Sequence, residues 1–499
     1  MGLDLKNLFL ENKGIKQTIF KNTFWLFLAK GVGILTMILT IFSARILGAT
    51  EFGKFSFALA FVWMLAIFSD LGTSSITTRE LAKEKENQKE YPAILSLKII
   101  LTAFALVLMF SLSFFITRDP FTQKIILILA IYILIESFLE IIFASLRASQ
   151  RMEYEAIVSI FQSILLCGIG LFILFYFPSV ENLSFVYLFV DLLALIVVLL
   201  FFHFRIQSLK LDWNKKIWQK ILRLSWPLAF AAIFSALYMY IDSVMMGYWG
   251  QITQTGWYNA AYRIINITVI PVALIAQSFY PALSKFFIES KEKFQDIWDL
   301  LMKSMIISAI PLMVGGVFLA SKIINFLYGP SFGPSIFVFK ILILSAGIIF
   351  LNSPYVEMLI VANQQKKVFY VTMVGGIINV ILNLLLIPRY SLYGAAVAAL
   401  ITYFVAFVLY LFFVKHFVLA VPFDFQLTKV LIFAIFSSGV MYFLISRSFI
   451  YNLNVILIII IGILIYSAVI FILNNLENLL KRKYNYNIII NNKKTYGGK

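Results

Sequence analysis

Ala44-Arg45-Ile46-Leu47-Gly48-Ala49-Thr50-Glu51-Phe52-Gly53-Lys54-Phe55 is the stretch that decides how this chain is read. Its glycines and lysine imitate the start of a phosphate-cradling loop. Phe55, however, stands where Ser or Thr would be needed for the metal, and no strand precedes the motif. The flanks are apolar: Phe20–Leu47 on one side and Phe55–Leu71 on the other. Each is long enough to cross a ~30 Å hydrocarbon core as a helix, which takes about 20 residues. The glycines therefore mark a tight turn between two spanning helices, and the nucleotide reading is set aside.

The same pattern continues along all 499 residues, of which 62% are hydrophobic and 13% charged. A soluble globular chain has about 45–50% apolar and about 25% charged residues. After the first two spans come Pro92–Ile116, Lys124–Leu146, Ala156–Phe177 and Phe185–Phe204. Beyond Arg205–Arg223 follow Leu224–Tyr248, Trp257–Leu283, Leu301–Phe326, Ser335–Ala362, Val368–Ile387 and Tyr393–Phe413, then Leu427–Ser446 and Leu453–Leu473. The expected fold is an all-α polytopic membrane protein with about fourteen spanning helices and no sizeable soluble domain. The first run follows a long polar start and exceeds the 7–15 residues of a signal h-region, so it reads as a span.

A net charge of +17 could suggest nucleic acid, but the Lys and Arg residues lie in short loops and tails and do not form a face of a folded domain. The charge alternates between loops. Lys6, Lys13, Lys16, Lys21, Arg79, Lys83, Lys85, Lys89, the linker and Lys481, Arg482 and Lys483 fall on one side. Pro178–Ser184 and Trp249–Gly256, on the other side, have neither Lys nor Arg. The positive-inside rule then puts both termini in the cytoplasm. A single cysteine, Cys167, excludes an internal disulfide, and His203 and His416 sit at helix ends as interfacial residues.

A weak internal repeat divides the chain. The turn around Gly48–Lys54 is echoed by Trp249–Tyr258, and Ala148-Ser149-Gln150 by Ala362-Asn363-Gln364. This gives residues 1–204 as one six-helix lobe and 224–416 as a second of the same orientation, a parallel repeat. Between them, Trp213, Ile217 and Trp218 against Lys215, Lys216 and Lys220 make 205–223 an amphipathic linker suited to the inner leaflet. Two further helices occupy 427–473, and 474–499 is a basic cytoplasmic tail.

Ionisable residues inside spans are costly in lipid and face a cavity or a partner. Lys30 lies about ten residues, or ~15 Å, into the first helix, near the midplane. Arg263 and Asp242 face each other across the short hairpin of helices seven and eight, where an ion pair is reasonable. Glu136 and Glu140 share one face of helix four, one turn apart; together they suit a cation or a proton, or Lys98 neutralises one of them. Asp191 and Glu357 are lone acids and candidate coupling sites. Arg45, Asp70 and Arg79 lie near span ends and, taken alone, read as interfacial anchors. Pro227, Pro271, Pro281, Pro311 and Pro354 predict kinks in the second lobe. No Ser-His-Asp set, zinc spacing or loop large enough for an aqueous active site is present, so the chain reads as no enzyme.

Three stretches resemble the polysaccharide flippases (O-antigen-type oligosaccharide flippases) of the multidrug/oligosaccharidyl-lipid/polysaccharide exporter superfamily. They are Ala44-Arg45-Ile46-Leu47-Gly48 with Glu51–Ser56; Asp70-Leu71-Gly72-Thr73-Ser74 with Arg79-Glu80-Leu81; and Asp242 with Met246-Gly247 and Gly256–Arg263. The resemblance spans roughly Asn22 to His416. It implies two six-helix lobes in a V around a central, often cationic cavity, plus two C-terminal helices. The implied activity is alternating-access transfer of undecaprenyl-diphosphate-linked glycan from the inner to the outer leaflet of the cytoplasmic membrane. Lys30 and Arg263 then suit the diphosphate, with Arg45 and Arg79 as further candidates. The acids Asp242, Glu136, Glu140, Asp70, Asp191 and Glu357 are candidates for ion coupling or structural pairing. No cofactor is implied beyond a coupling Na+ or H+; membrane lipid and glycan polymerase machinery are the implied neighbours. A lipid II flippase and a drug/cation antiporter of the same superfamily remain as alternatives. A membrane-embedded glycan polymerase or ligase is disfavoured by the short outer loops.

Overall fold

The computed structural model describes residues 14–83, 89–205, 210–418 and 425–496. Lys6, Lys13 and Lys85, counted above among the inner charges, lie outside these residues. The chain order is α1 Ile15–Val32, α2 Ile34–Asp70, α3 Thr73–Lys83, α4 Tyr91–Ile116, α5 Pro120–Ala148, α6 Met152–Tyr176, α7 Val180–Arg205 and α8 Lys215–Tyr248. It continues with α9 Ile252–Thr268, α10 Ile270–Glu289, α11 Lys291–Tyr328, α12 Gly333–Val361, α13 Gln365–Phe417, α14 Phe425–Ile445, the single turn α15 Ser448–Tyr451 and α16 Val455–Tyr496. Among the described residues there is no strand. That is the outcome hydrocarbon demands of an open chain, because a helix satisfies its own backbone donors and acceptors.

Local chemistry sets the boundaries. Asp119 caps α5 through the amides of Phe121 and Thr122, and Pro120 occupies the first turn, where its missing N–H costs nothing. Asn214 caps α8. Gly48 adopts φ 76° inside α2, and Ser391 adopts φ 52° inside α13. At each of these points the chain turns sharply without losing helical pairing on either side.

Among the described residues, twelve helical segments are long and apolar enough to cross a membrane. Two of them, Gln17–Lys83 with 67 residues and Gln365–Phe417 with 53, contain the turns at Gly48 and Ser391. The count of fourteen is reached only when each of these is taken as two crossings. Phe115, Phe175, Leu464 and Phe471 are among the many large apolar side chains left exposed. Such a surface suits lipid and would be a liability in water.

The chain divides into two compact units. In the first, comprising 1–263, 327–335 and 372–398, Leu39, Phe57 and Phe61 of α2 pack with Ile125 and Leu129 of α5 and Leu174 of α6. A second cluster joins Ile76, Ile94, Ile142, Val198 and Ile221 near the other helix ends. In the second unit, Trp298, Tyr355, Leu359 and Val414 form one core. Leu319, Met441, Ile458 and Tyr466 form another, which holds α14 and α16 against α11.

These bounds differ from the six-helix lobes read in the sequence, because the start of α9 packs on α2 through glycines at van der Waals range. The linker also differs from its expected form. From Lys215 it runs into the spanning part of α8 as one helix. It is fastened to protein as well as being suited to lipid: Trp218 Nε1 donates to the Ala93 carbonyl at 2.9 Å, and Lys220 pairs with Glu90 at 2.9 Å. The indole and the ammonium both find polar partners at the start of α4, which a lipid-facing helix would forgo.

Candidate functional site

Arg263 lies eleven residues after the start of α9, about 16 Å along its axis. It is half-buried and, among the described residues, makes no ion pair. The guanidinium is close enough to act electrostatically on Tyr187 of α7, Tyr240 of α8 and Tyr328 at the end of α11. Tyr187 is itself wedged between Tyr132 of α5, at 5.3 Å between ring centres, and Phe55 of α2, at 5.5 Å. A cation well inside a span that makes no ion pair among the described residues is suited to an anion brought from outside.

Two acids act on the same tyrosines as this cation. Asp191 of α7 is 6% exposed and accepts from Gln162 Nε2 of α6 at 3.0 Å. Glu136 of α5 acts electrostatically on Asp191, Tyr132 and Tyr240, and its Oε2 is buried without a hydrogen-bond partner. Tyr240 is thus within reach of both Arg263 and Glu136.

Asp242 does not pair with Arg263 as the hairpin suggested. Its carboxylate is buried among neutral groups and accepts from the Tyr258 hydroxyl of α9 and from Asn383 Nδ2 of α13. Asn383 also donates to Asn379 Oδ1 at 3.1 Å, while its own Oδ1 is buried and unpaired. Next to this network, Asn259 Nδ2 donates to Ser243 Oγ at 2.9 Å. The hairpin brings Tyr258 into register with Asp242, so the phenol takes the position proposed for the guanidinium. The result is a carboxylate ringed by oxygen and amide groups, a donor set of the hard type that suits Na+ or a proton.

Glu136 and Glu140 have separate partners. Glu140 binds the Arg147 guanidinium at 2.6 and 3.2 Å, and Arg147 also binds Glu155 at 2.6 and 2.8 Å. Lys98 does not neutralise either of the first two by contact; it pairs with Asp70 at 2.9 Å, because α3 turns back at Leu71 and brings the Asp70 carboxylate over α4. Arg79 is exposed and shares Glu80 with Lys83. Lys30 is exposed in the last turn of α1 and, among the described residues, forms no hydrogen bond or ion pair through its side chain. Arg45 is exposed on α2, and Glu357 is half-buried in α12. Of the residues singled out in the sequence, Arg263, Glu136 and Asp191 come together around shared tyrosines. Lys30 and Arg79 do not join them through any described contact.

Sequence reasoning missed Tyr187, Tyr258, Gln162, Asn379 and Asn383. Asn379 and Asn383 are one turn apart within an apolar run, a polar pair whose cost in lipid could have drawn attention to it. Lys21, counted above among the inner charges, is wholly buried and paired with Glu153 at 2.8 Å.

A family model described as "polysaccharide biosynthesis protein" matches residues 19–287. A Staphylococcus aureus protein named "Capsular polysaccharide biosynthesis protein CapF" is 25% identical over 405 residues, 79% of this chain and 99% of the relative. A Haloferax volcanii protein named "Probable low-salt glycan biosynthesis flippase Agl15" is 24% identical over 403 residues, 78% of this chain and 81% of the relative. Among solved structures, a lipid II flippase, MurJ, in an inward closed conformation superposes with a TM-score of 0.74 at 19% identity, covering 90% of this chain and 98% of that one. An inward-facing multidrug resistance MATE family transporter of the MOP superfamily gives 0.63 at 14% identity, covering 78% and 96%. These structures share the fold.

Proposed function

The chain belongs to the polysaccharide biosynthesis protein family, and from that premise we propose that it is a flippase for a lipid-linked oligosaccharide. The substrate is an undecaprenyl-diphosphate-linked glycan, moved from the inner to the outer leaflet of the cytoplasmic membrane, with both termini of the chain in the cytoplasm. The observation that carries this reading is Arg263: a half-buried cation inside a span that, among the described residues, makes no ion pair.

The physical task is to carry a diphosphate and several sugars past hydrocarbon. Each unpaired polar group there costs several kcal/mol. Arg263 offers the diphosphate a fork of N–H donors. The phenol of Tyr240 adds a hydrogen-bond donor, while the polyprenyl tail stays in lipid. Lys30, Arg45 and Arg79 line the route at lower affinity, being exposed or shared with Glu80. No bond is made or broken, so the protein alternates access and does no covalent chemistry.

The cycle needs a drive, and Na+ or H+ supplies it. Asp242 with Asn379 and Asn383 is the favoured site. The carboxylate is buried, lacks a cation in contact, and has an unpaired amide oxygen beside it. Glu136 and Asp191, near Arg263, respond to the substrate's charge through the same tyrosines. Arg263 standing without an acid partner favours an anionic substrate.

The test is reconstitution of the full chain in proteoliposomes with lipid-linked glycan extracted from its host and labelled on the sugar. Label that becomes accessible to an added glycosidase only when the protein is present supports the proposal; equal accessibility in empty vesicles rejects it.

A further inference from the structure

We propose that Tyr258 is the positioning residue through which a cation at Asp242 is felt at Arg263: its hydroxyl meets the carboxylate, and α9, which carries both Tyr258 and Arg263, passes the change on. The inference rests on the flippase reading above, takes Na+ as the ion, and adds the connection between the two sites.

Tyr258 and Arg263 are separated by about 7.5 Å along the axis of α9. Tyr258 is 1% exposed and donates its hydroxyl to Asp242 Oδ2. Its ring centre lies 5.8 Å from that of Tyr262, with the planes within 12°, and Tyr262 directly precedes Arg263. Between Tyr258 and Arg263, the Ala260 carbonyl accepts from the Tyr328 hydroxyl at 3.0 Å. Just before them, the Trp257 carbonyl accepts from Ser335 Oγ at 2.7 Å. Uncharged bonds to the segment 328–335 thus fasten α9 at Trp257 and Ala260. The bond from Tyr258 to a carboxylate lies on one side of Ala260, and the guanidinium lies on the other.

Of these bonds, the one at Asp242 is the one a cation changes. A phenol donating to a carboxylate makes a charge-assisted hydrogen bond, roughly twice as strong as a neutral one. Na+ is a hard ion that takes oxygen ligands. The buried carboxylate of Asp242 and the unpaired Oδ1 of Asn383 beside it supply them. Na+ held there competes with the phenol for Oδ2, and the hydroxyl has to give up its bond. A ring this deeply buried is close-packed and cannot turn alone, so the Tyr262 ring and the backbone of α9 shift with it. Asn259 and Ser243, which join the same two helices at 2.9 Å, are both neutral and carry no such response. Arg263, one turn beyond the fastened Ala260, receives the displacement. Na+ also cancels the carboxylate charge that opposes an anion, so the two ligands favour each other. By linkage, a diphosphate at Arg263 strengthens Na+ at Asp242 by the same factor.

The experiment uses the purified full chain with two probes, NaCl and undecaprenyl diphosphate. The dissociation constant for undecaprenyl diphosphate is measured in Na+ and in choline at equal ionic strength. Wild type is expected to bind about five-fold or more tightly in Na+, the lower end of ordinary coupling between sites. Tyr258→Phe keeps the ring and its stack on Tyr262, and its ratio of the two constants is expected to fall to about one. Asn259→Ala is expected to keep the wild-type ratio. A merely structural role for Tyr258 would change both constants and leave their ratio as it is, which would overturn the proposal. Where Tyr258→Phe fails to fold, 3-fluorotyrosine placed at position 258 keeps the hydroxyl. Its fluorine resonance is expected to shift with Na+ alone and with undecaprenyl diphosphate alone, and a resonance that ignores either probe overturns the proposal. Wild type that binds undecaprenyl diphosphate equally in both salts rejects the coupling and leaves the flippase reading standing. Wild type that binds it in neither salt rejects both.

Discussion

Lys98 stands 2.9 Å from Asp70 with only 1% of its side chain exposed, whereas Asp70 keeps 27%. The pair joins the end of α2 to α4, and Asp70 also accepts from the Ser74 hydroxyl. Removing one partner of a buried pair costs about 3–5 kcal/mol, because the other charge is left without compensation. The asymmetry of exposure sets the order. Asp70→Asn strands the fully buried ammonium and should lower thermal stability more than Lys98→Met, which strands a carboxylate that still reaches solvent. The double variant should recover part of the loss. Unfolding of the detergent-purified protein measures all three, and equal losses for the two single variants would contradict the pairing argument.

Arg263→Ala should abolish glycan transfer while leaving unfolding temperature close to wild type, since no acid in contact depends on it. Arg263→Lys should retain a fraction of the activity, keeping charge but losing the fork of donors. A strong loss of stability in Arg263→Ala would make the residue structural.

Asp242→Asn should uncouple transfer from the cation gradient, and Asn383→Leu should weaken it in the same direction by removing an amide from the carboxylate. Both are measured as proteoliposome transfer with and without an imposed Na+ or H+ gradient. Gradient dependence that survives in Asp242→Asn assigns coupling elsewhere, with Glu136 and Asp191 next in line.

Asp119, in the loop ahead of α5, is held below the ordinary carboxylate range chiefly by the Thr122 hydroxyl, at 2.6 Å, and further by the amides of Thr122 and Phe121. A carboxyl lowered in the folded state stabilises above its unfolded value of about 3.9. Its contribution is lost as the pH falls from there through the lower folded value. Asp119→Ala should cost about 1 kcal/mol at neutral pH, the usual loss of an N-cap, and the difference from wild type should shrink in acid. A difference independent of pH would remove the carboxylate from the cap.

How much of this could be read in advance depended on the kind of interaction. The spans were legible because apolar runs of membrane length leave few alternatives, and the turn at Gly48 because glycines interrupt two of them. Arg263 and Asp191 stood out because charge inside a span is rare. Their partners did not. Asn383 follows Asp242 by 141 positions, and a neutral amide in an apolar run carries little signal. Tyr187 and Tyr258 pass as ordinary aromatic core until their hydroxyls are located. Lys98 could be assigned to Glu136 or Glu140 by depth alone. Only the reversal of the chain at Leu71, with φ 46°, brings Asp70 to it.

The most direct test of the central claim is depletion of the protein in its host, followed by mass spectrometry of lipid-linked glycans with their leaflet determined. The account predicts that a completed glycan on a polyprenyl diphosphate accumulates on the cytoplasmic side. Depletion without such accumulation, accompanied by sensitivity to cationic drugs, would contradict it.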